Sequence, residues 1–307
     1  MNYYSKLKSL GKGYKKKEKV YNRYMKVSIF CAAKKEGAYD VALAFVIKRE
    51  KFCVTLTQLI KKKDPDIFII QSEKNSERKI QGVFHYRKGG TVFCCLEKGF
   101  KKFAATFEKF FTERNVFCIS ARKDWCDFLI KCIQKTSIAS IKEARTYTLM
   151  QTCKNYEKVN PDFDGNIIVK DCNLSDADLL MPLQVAYIKE EVIPAGMEIY
   201  LPGQRKNLEN ALKNQRVIVA CKDGKYIAKA QSNAIGQNFV QLGGVFTLPE
   251  FRKRGLAKLL VSNLVKAFLE EKKKTVLFVK NDNEAAKALY LSLNFTPLCS
   301  YKICYFL

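Results

Sequence analysis

Strand-like and helix-like patterns alternate along nearly the whole chain, and this alternation most restricts the possible fold. Short apolar runs bounded by Gly, Pro, Asn or Asp indicate strands, while apolar residues spaced three and four apart indicate helices. Such an alternation predicts a mixed α/β sheet covered by helices. The strand patterns cover 66–73, 79–97, 116–121, 144–153, 166–171, 216–222, 225–234, 238–247, 275–280 and 301–307. The helix patterns cover parts of 37–64, then 101–115, 124–135, 174–192, 204–214, the residues after 255, and 283–293.

Three local signals mark turns and a helix start within this pattern. A lysine and two glycines at 88–90 predict the turn of a β-hairpin. The Asp-Gly pair at 223–224 predicts a tight turn between two later strands. Ser175, with Asp178 three residues later, resembles a capping box at the start of a helix.

Length and one polar segment indicate two domains. A chain of 307 residues is longer than most single domains. Residues 154–166 are polar and include Pro161 and Gly165, so this segment is the best candidate linker. We therefore expect a basic α/β domain at 1–160 and a second domain at 161–307.

Positive charge is concentrated in the first of these halves. The chain carries 55 Lys and Arg against 30 Asp and Glu, a formal net charge of +25. Residues 1–160 hold 35 of the basic and 15 of the acidic residues. Such a region can contact an acidic partner, an anionic membrane surface or nucleic acid. Because no aromatic RNA-binding signature accompanies it, we favour a solvated lysine-rich surface, open to an acidic partner, over nucleic-acid binding.

Membrane and secretion signals are not recognised in the sequence. The longest early apolar run, at 41–47, is far shorter than the roughly 20 residues of a membrane-spanning helix. The brief apolar stretch that follows the basic N-terminal residues does not fit a secretory signal. We expect no membrane span and a cytoplasmic location.

The counts of cysteine and histidine limit the available chemistry. The twelve cysteines fall mostly inside apolar strand and helix patterns, and no C-x-x-C pair occurs. We therefore expect reduced thiols that pack as small apolar groups. His85 is the only histidine, which argues against a metal site and against Ser-His or Cys-His catalysis.

A cluster of cations stands where a strand pattern gives way to a helix pattern. Arg252, Lys253 and Arg254 precede Gly255 at this point. Cations are disfavoured there, because the helix dipole is positive at its N-terminus. An anion resolves the conflict, since the unpaired N–H groups of a first helical turn bind phosphates well. Gly255 lets the backbone approach such an anion closely, and Ala257 keeps the next turn slim.

Two segments carry a resemblance to a known family. Arg252, Gly255 and Ala257 fit the acyl-CoA-binding signature Q/R-x-x-G-x-G/A of the GNAT superfamily of N-acetyltransferases. Residues 281–295 are similar to the family segment N-x-x-A-x-x-L-Y-x-x-x-G-F, although Asn294 replaces its glycine. The matching positions in this segment are Asn283, Ala286, Leu289, Tyr290 and Phe295. The order of elements in the second half also follows the family.

The resemblance implies a GNAT fold in the second half, with acetyl-CoA as co-substrate and no metal. A glycine pair at 243–244 inside a strand pattern indicates a bulge or a close backbone approach. In the family, this strand splays from its neighbour and pairs with pantetheine, and a backbone amide donates to the thioester carbonyl. The cofactor-binding residues that the resemblance implies are Val245, Phe246, Thr247, Arg252, Lys253, Arg254, Gly255, Leu256, Ala257, Asn283, Ala286 and Lys287.

The resemblance also implies catalytic roles. Tyr290 occupies the family position whose hydroxyl protonates the departing thiolate. A base is needed too, because an alkyl ammonium with a pKa of about 10.4 is almost fully protonated at pH 7. Many relatives use a glutamate where this chain has Gln241, and glutamine cannot accept the proton. Glu190 and Glu191 are the candidate bases; the alternatives are that both lie on a solvated helix face, or that a water chain removes the proton.

The first half raises a separate expectation. The order of elements in 79–153 parallels the later part of the second half, so we expect a degenerate GNAT-like copy, similar to those of bacterial tandem GNAT-like proteins. Gly99 has no matching signature around it, so we expect no cofactor there. This half would instead shape the acceptor cleft or dock a partner.

We therefore expect an acetyl-CoA-dependent N-acetyltransferase that transfers the acetyl group directly to a small-molecule amine or a protein. The alternative is a non-catalytic acyl-CoA-binding or nucleic-acid-associated protein that uses its basic first half. Acceptor residues are expected around 191–203, and nothing in that segment selects one acceptor class.

Overall fold

One twelve-stranded sheet runs through both halves of the protein. The computed structural model describes residues 25–136, 140–152, 167–193 and 198–307. Eight α-helices pack on the sheet in these ranges, and the predicted mixed α/β fold is confirmed. The predicted linker and the boundary near residue 160 lie outside the described residues, as does most of the basic N-terminal segment.

The elements follow the predicted alternation closely. The strands are β1 (Lys26–Cys31), β2 (Ile67–Lys74), β3 (Glu77–His85), β4 (Thr91–Leu96), β5 (Cys118–Arg122), β6 (Ile141–Thr152), β7 (Ile167–Asp171), β8 (Val217–Lys222), β9 (Lys225–Ile235), β10 (Phe239–Thr247), β11 (Lys274–Lys280) and β12 (Phe295–Phe306). The α-helices are α1 (Ala38–Ile47), α2 (Val54–Lys61), α3 (Ala104–Phe111), α4 (Lys123–Gln134), α5 (Ala177–Tyr187), α6 (Leu201–Asn214), α7 (Leu256–Glu270) and α8 (Glu284–Ser292).

The final strands of the two halves are exchanged. The order across the sheet is β1-β2-β3-β4-β5-β12-β6-β11-β10-β9-β8-β7. Strand β12 ends the chain but pairs antiparallel with β5 of the first half. Strand β6 ends the first half but pairs antiparallel with β11 of the second. Because β6 and β12 also pair with each other at the centre, the hydrogen bonds of each half depend on a strand from the other.

The second half carries helices on both faces of its sheet. Alternate residues of β8 face opposite sides, since Ile218 belongs to the apolar cluster around α7 while Val219 belongs to the cluster around α5 and α6. The leucine stripe of α7, which includes Leu260 and Leu264, is fully buried on the first of these faces. This arrangement fixes the start of α7 beside the end of β10.

Polar contacts from the first half hold the turn between β9 and β10. Glu50 is 1% exposed, and its carboxylate accepts hydrogen bonds from the backbone N–H groups of Gln237 and Asn238. Gln58 on α2 accepts the N–H of Ile235 at 2.6 Å. A buried carboxylate is expensive unless it is hydrogen-bonded, so these contacts make the two halves one packed unit.

The helix start predicted at Ser175 is wrong by two residues. Asn173 is the N-cap: its side chain accepts the N–H of Ser175, and Asp176 accepts the N–H of Asn173 at 2.8 Å. Both residue pairs have capping-box spacing, but only Asp176 is buried, where it also binds Tyr226. Asp178 instead lies at the surface.

The two predicted turns are confirmed. The turns at 88–90 and 223–224 connect antiparallel strands, and Asp223 and Gly224 both have positive φ. Every cysteine in the described ranges is a free thiol. None of the helices described reaches the length and apolarity needed to cross a bilayer.

Candidate active site

The site forms where β10 and β11 separate. These parallel strands pair over only four residues, Phe239–Leu242 against Lys274–Leu277. Within the described part of the chain, β10 then pairs only with β9 as far as Thr247. One backbone edge of residues 243–247 is therefore open, with N–H and C=O groups free to pair with a ligand as another strand would.

The glycine pair shapes this open segment. The register between β10 and β9 shifts between Gly243 and Phe246, which confirms the predicted bulge. Gly244 has a φ of 58°, and a Cβ there would lie 2.8 Å from the side chain of Gln231. A side chain at this position would push Gln231 away, so glycine allows the closest approach of the two strands.

The loop after β10 ends in a helix start with exposed cations. Residues 252–255 are exposed, Lys253 has a φ of 60° and Gly255 a φ of 78°. Among the described side chains, none caps the N-terminus of α7. The amides of its first turn therefore have no side-chain acceptor from this cap, and such uncapped amides can bind phosphate groups.

The two arginines of this loop already contact protein groups. Arg252 holds both carboxylate oxygens of Glu190, at 2.7 and 2.8 Å, and donates to the carbonyl of Thr247 at 3.1 Å. Arg254 donates to the carbonyl of Glu250 at 3.3 Å. Glu190, a predicted base, thus joins the helical turn that follows α5 to the basic loop after β10.

Glu191 lies next to Glu190 but binds a different partner. Residues Ile188–Val192 form a π-helical turn, a feature often found at functional sites. The Glu191 carboxylate binds the ammonium of Lys280, at the end of β11, at 2.7 Å. Arg145 on the exchanged strand β6 donates to the carbonyl of Val192 at 2.7 Å and so fixes the turn.

Tyr290 on α8 lies inside the site. It is buried, and its ring centroid is 5.8 Å from that of Phe295. Burial raises the pKa of the Tyr290 hydroxyl, and the fields of Tyr187 and Glu191 raise it further. The hydroxyl therefore keeps its proton at neutral pH, the state that a general acid requires.

Asn283 organises the second matched segment. Its side chain accepts the N–H of Ala286 at 2.9 Å and caps α8. Lys287 binds Glu284 at 2.7 Å and also donates to the carbonyl of Asn281. The cap fixes where α8 begins and hence where Tyr290 lies, one and a half turns later.

Sequence reasoning missed two residues of this site, Tyr187 and Lys229. The Tyr187 ring packs edge-on against Phe246 at 6.1 Å, and burial raises the pKa of its hydroxyl to about 12, an effect partly offset by a hydrogen bond from the backbone of Gly244. Lys229 on β9 is 1% exposed, and its Nζ lies 2.5 Å from Gln184 Oε1 and 4.6 Å from the centre of the Tyr187 ring. Desolvation lowers the pKa of this lysine to about 7.

Lys229 could have been recognised from the sequence, because a lysine is unusual in a strand that is buried on both faces. Strand β9 is buried from Tyr226 to Ala230. Charged side chains are rarely placed in such strands without a partner. The role of Tyr187 depends on the position of α5 against β10, which no local pattern specifies.

The end of the open edge offers one further group that could bind a thioester co-substrate. Thr247, one of the predicted cofactor-binding residues, has a buried hydroxyl with no hydrogen-bond partner among the described residues. It stands between the unpaired segment of β10 and the exposed basic loop. Pantetheine along β10 and a diphosphate at the start of α7 would thus meet suitable groups at both ends.

The match with known sequences falls on these same elements. Residues 185–295, from α5 to the start of β12, match the sequence model of the acetyltransferase (GNAT) family. None of the curated proteins compared with this chain matches it significantly.

Solved structures extend the likeness to the first half. A Drosophila protein is 13% identical over 92% of this chain and 98% of its own, with a TM-score of 0.62. A GNAT-family acetyltransferase from Colwellia psychrerythraea is 12% identical over 92% and 99%, with a TM-score of 0.53. A tandem GNAT protein from the clavulanic acid biosynthesis pathway is 10% identical over 92% and 98%, with a TM-score of 0.50. The prediction of a GNAT fold preceded by a GNAT-like half is confirmed.

The chain departs from the family pattern at Gln241, and the structure shows what surrounds this residue. Thr55, on α2 of the first half, donates its hydroxyl to Gln241 Oε1 at 3.3 Å. The Gln241 side chain, an amide where the family pattern often has a carboxylate, is thus in contact with the first half. Of the predicted bases, Glu191 contributes to the raised pKa of Tyr290, and Glu190 binds Arg252 of the basic loop.

Proposed function

We propose that this protein is an acetyl-CoA-dependent N-acetyltransferase that transfers the acetyl group directly to an amine. The supporting observation is the open edge of β10, which runs from the glycine pair to an uncapped helix start and lies beside the buried Tyr290. Acetyl-CoA supplies the activated thioester. The residues of this chain bind it, orient it and move protons.

Each part of the site has a distinct task in this proposal. The free backbone groups of 243–247 hold the pantetheine arm, and the amides at the start of α7 hold the diphosphate. The amide of Gly244, which hydrogen-bonds Tyr187 in this structure, would donate instead to the thioester oxygen as negative charge develops there. The hydroxyl of Tyr290 gives its proton to the departing sulfur.

We assign the base role to Glu191 rather than to Glu190. Both oxygens of Glu190 are held by Arg252, which leaves that carboxylate a structural task. Glu191 is close enough to Tyr187 and Tyr290 to raise the pKa of both. Its carboxylate accepts a proton from the acceptor ammonium, and the ion pair with Lys280 holds the carboxylate in place.

A Tyr290→Phe variant tests the acid. We expect kcat to fall by about 10²–10⁴, because a positioned proton donor is lost. The dissociation constant of acetyl-CoA, measured by calorimetry, should stay within about threefold, since no backbone donor changes. The assay is thiol release from acetyl-CoA with a panel of amines. Tyr226→Phe is the matched control, because it removes a buried hydroxyl of the same half that binds Asp176 instead.

Two outcomes would contradict parts of this proposal. Wild-type turnover by Tyr290→Phe would remove Tyr290 from the mechanism. Tight binding of acetyl-CoA by the wild-type chain, with no amine-stimulated thiol release, would support the alternative of a non-catalytic acyl-CoA-binding protein.

Exchanging the two neighbouring glutamates for glutamine separates their roles. Glu191→Gln should lower kcat/KM for the amine about 10²-fold, because the amide cannot take the proton. Glu190→Gln should instead raise the KM for acetyl-CoA a few-fold, because Arg252 loses its partner. Steady-state kinetics with both substrates varied distinguishes these patterns. An equal loss in kcat for both variants would contradict the assignment.

A further inference from the structure

A second polar cluster lies in the first half, outside the acetyl-transfer site. Asp64 and Asp66 precede β2, and His85 ends the neighbouring strand β3. One carboxylate oxygen of each aspartate and one ring nitrogen of His85 lie within 4.8 Å of one another. Acidic side chains often approach each other at surfaces, so the histidine decides whether this cluster is a site.

His85 points an unpaired nitrogen into the cluster. The residue is 7% exposed, and its Nδ1 lies 3.3 Å from the carbonyl oxygen of Thr91. A carbonyl can only accept, so Nδ1 carries a hydrogen and Nε2 is the ring atom that faces the cluster. Nε2 has no hydrogen-bond partner among the described residues, although Asp64 Oδ1 is 3.5 Å away. A buried ring nitrogen and a carboxylate oxygen that face each other at this distance leave a place for a cation between them.

The spacing of these atoms suits a metal ion. Ligand atoms of a tetrahedral zinc ion, bound at about 2.1 Å, are separated by roughly 3.4 Å. The observed distance from His85 Nε2 to Asp64 Oδ1 is 3.5 Å. The third ligand atom, from Asp66, completes one face of such a site, and a water molecule would take the fourth position.

The surrounding contacts are those that orient metal ligands. Arg87 binds Asp66 Oδ2 at 2.7 Å and Asp64 Oδ2 at 3.3 Å, so it holds the outer oxygen of each carboxylate. Asp64 Oδ1 faces His85 and also accepts the N–H of Asp66 at 2.9 Å. The bond from Nδ1 to Thr91 fixes the ring, as backbone carbonyls do for most metal-bound histidines.

We propose that Asp64, Asp66 and His85 bind a divalent transition-metal ion of the zinc class. One nitrogen and two carboxylate donors favour such an ion over Mg²⁺ or Ca²⁺, which prefer oxygen ligands alone. The sequence argued against a metal because it has one histidine and no C-x-x-C pair. The ion would join the turn after α2 to the hairpin of β3 and β4, a structural task independent of acetyl transfer.

The single histidine makes the test specific. In full-length protein labelled with ¹⁵N-histidine, one imidazole reports on the site, so zinc binding to thiols elsewhere does not affect the readout. Titration with Zn²⁺ at pH 7.5 should shift the Nε2 signal to a metal-bound position that saturates near one equivalent. The melting temperature should rise with it, because the ion binds the folded state. Millimolar Mg²⁺ should change neither signal.

Two aspartate variants complete the test. Asp66→Asn should weaken the zinc-dependent shift at least tenfold. Asp178→Asn, which removes a surface carboxylate of the other half, should leave it unchanged. An imidazole signal that does not respond to Zn²⁺ in the wild-type protein overturns the proposal and leaves His85 as an ion-pair partner of Asp64. An equal response in Asp66→Asn overturns the assigned ligand set.

Discussion

The two halves of this protein make the same strand-to-helix junction and put it to opposite uses. In the second half, seven residues separate β10 from Gly255 and α7, and residues 252–255 of this junction are exposed, with three cations. In the first half, two residues separate β4 from Gly99, whose φ of 77° nearly equals the 78° of Gly255. The helical turn Phe100–Phe103 follows Gly99 directly, as α7 follows Gly255.

Side chains, more than the backbone, make the difference. Phe100 and Phe103 are buried directly after Gly99, so this junction is anchored in the apolar core. The void beside β4 and β5, lined in part by Cys94 and Tyr301, measures only about 10 Å³. The same backbone turn can thus serve as packing where apolar residues follow the glycine.

The cores of the two halves also differ in the side chains that fill them. Phenylalanine rings dominate the first core, where Phe84 lies 5.0 Å from Phe110 and 5.8 Å from Phe107. The second core admits Lys229, with uncharged partners such as Gln184 and the Tyr187 ring. The buried charge of the first half, Glu50, is instead paired with backbone N–H groups of the turn between β9 and β10.

Separating the halves should have the largest effect. Cleaving the chain between residues 160 and 161 and purifying each piece alone would leave β5 without β12 and β11 without β6. We expect neither piece to unfold cooperatively, because each exposes a central strand edge. Mixed pieces should recover one cooperative transition by circular dichroism. A second half that folds alone and binds acetyl-CoA with full affinity would show that the exchange is dispensable.

Lys229→Met should change the pH dependence of stability. The folded-state pKa of about 7 lies below the unfolded value near 10.5, so the unfolded chain binds more protons between these values. The free energy of unfolding of the wild type therefore rises with pH in this window, by about 3 kcal/mol from pH 7 to 9.5. The variant lacks this contribution, so its advantage should be greatest below pH 7 and shrink as pH rises.

Urea unfolding at several pH values measures the difference in free energy of unfolding between the wild type and the variant. The contributions of the other titratable groups are the same in both proteins and cancel in this difference. Loss of the bond to Gln184 lowers the absolute stability of the variant by about 1–3 kcal/mol at every pH. The slope is therefore the decisive quantity. Parallel curves for the two proteins would mean that Lys229 keeps its charge in the fold.

Matched glycine substitutions should give the smallest effect and the sharpest comparison. Gly255→Ala and Gly99→Ala each place a Cβ at a φ near 78°, at a cost of about 1 kcal/mol in stability. Only Gly255→Ala should also weaken acetyl-CoA binding, by about tenfold, because only that junction is open to a ligand. Calorimetry with acetyl-CoA tests both. Equal losses of affinity would mean that strain transmitted through the sheet, rather than local contact, controls binding.

Local chemistry made much of this protein predictable. Strand and helix periods, the Asp-Gly turn at 223–224 and the glycine pair at 243–244 all depend on neighbouring residues, and each appears as predicted. Two short segments that resemble the family placed Gly255 at the start of one helix and Tyr290 on the next, and the structure has both residues there. The capping box failed because two pairs with the same spacing overlap, and burial of Asp176 selects one of them.

The sequence by itself determined the α/β alternation, the exposed basic helix start and the capped helix that carries Tyr290, because these follow from periodicity and from contacts within a few residues. Only the tertiary structure decided that β6 and β12 change places, that Glu190 binds Arg252 while Glu191 binds Lys280, and that Lys229 lies beneath Tyr187. It also brought His85 to two aspartates about twenty residues away. Such pairings depend on which surfaces bury one another, and distant residues meet only when the whole sheet has formed.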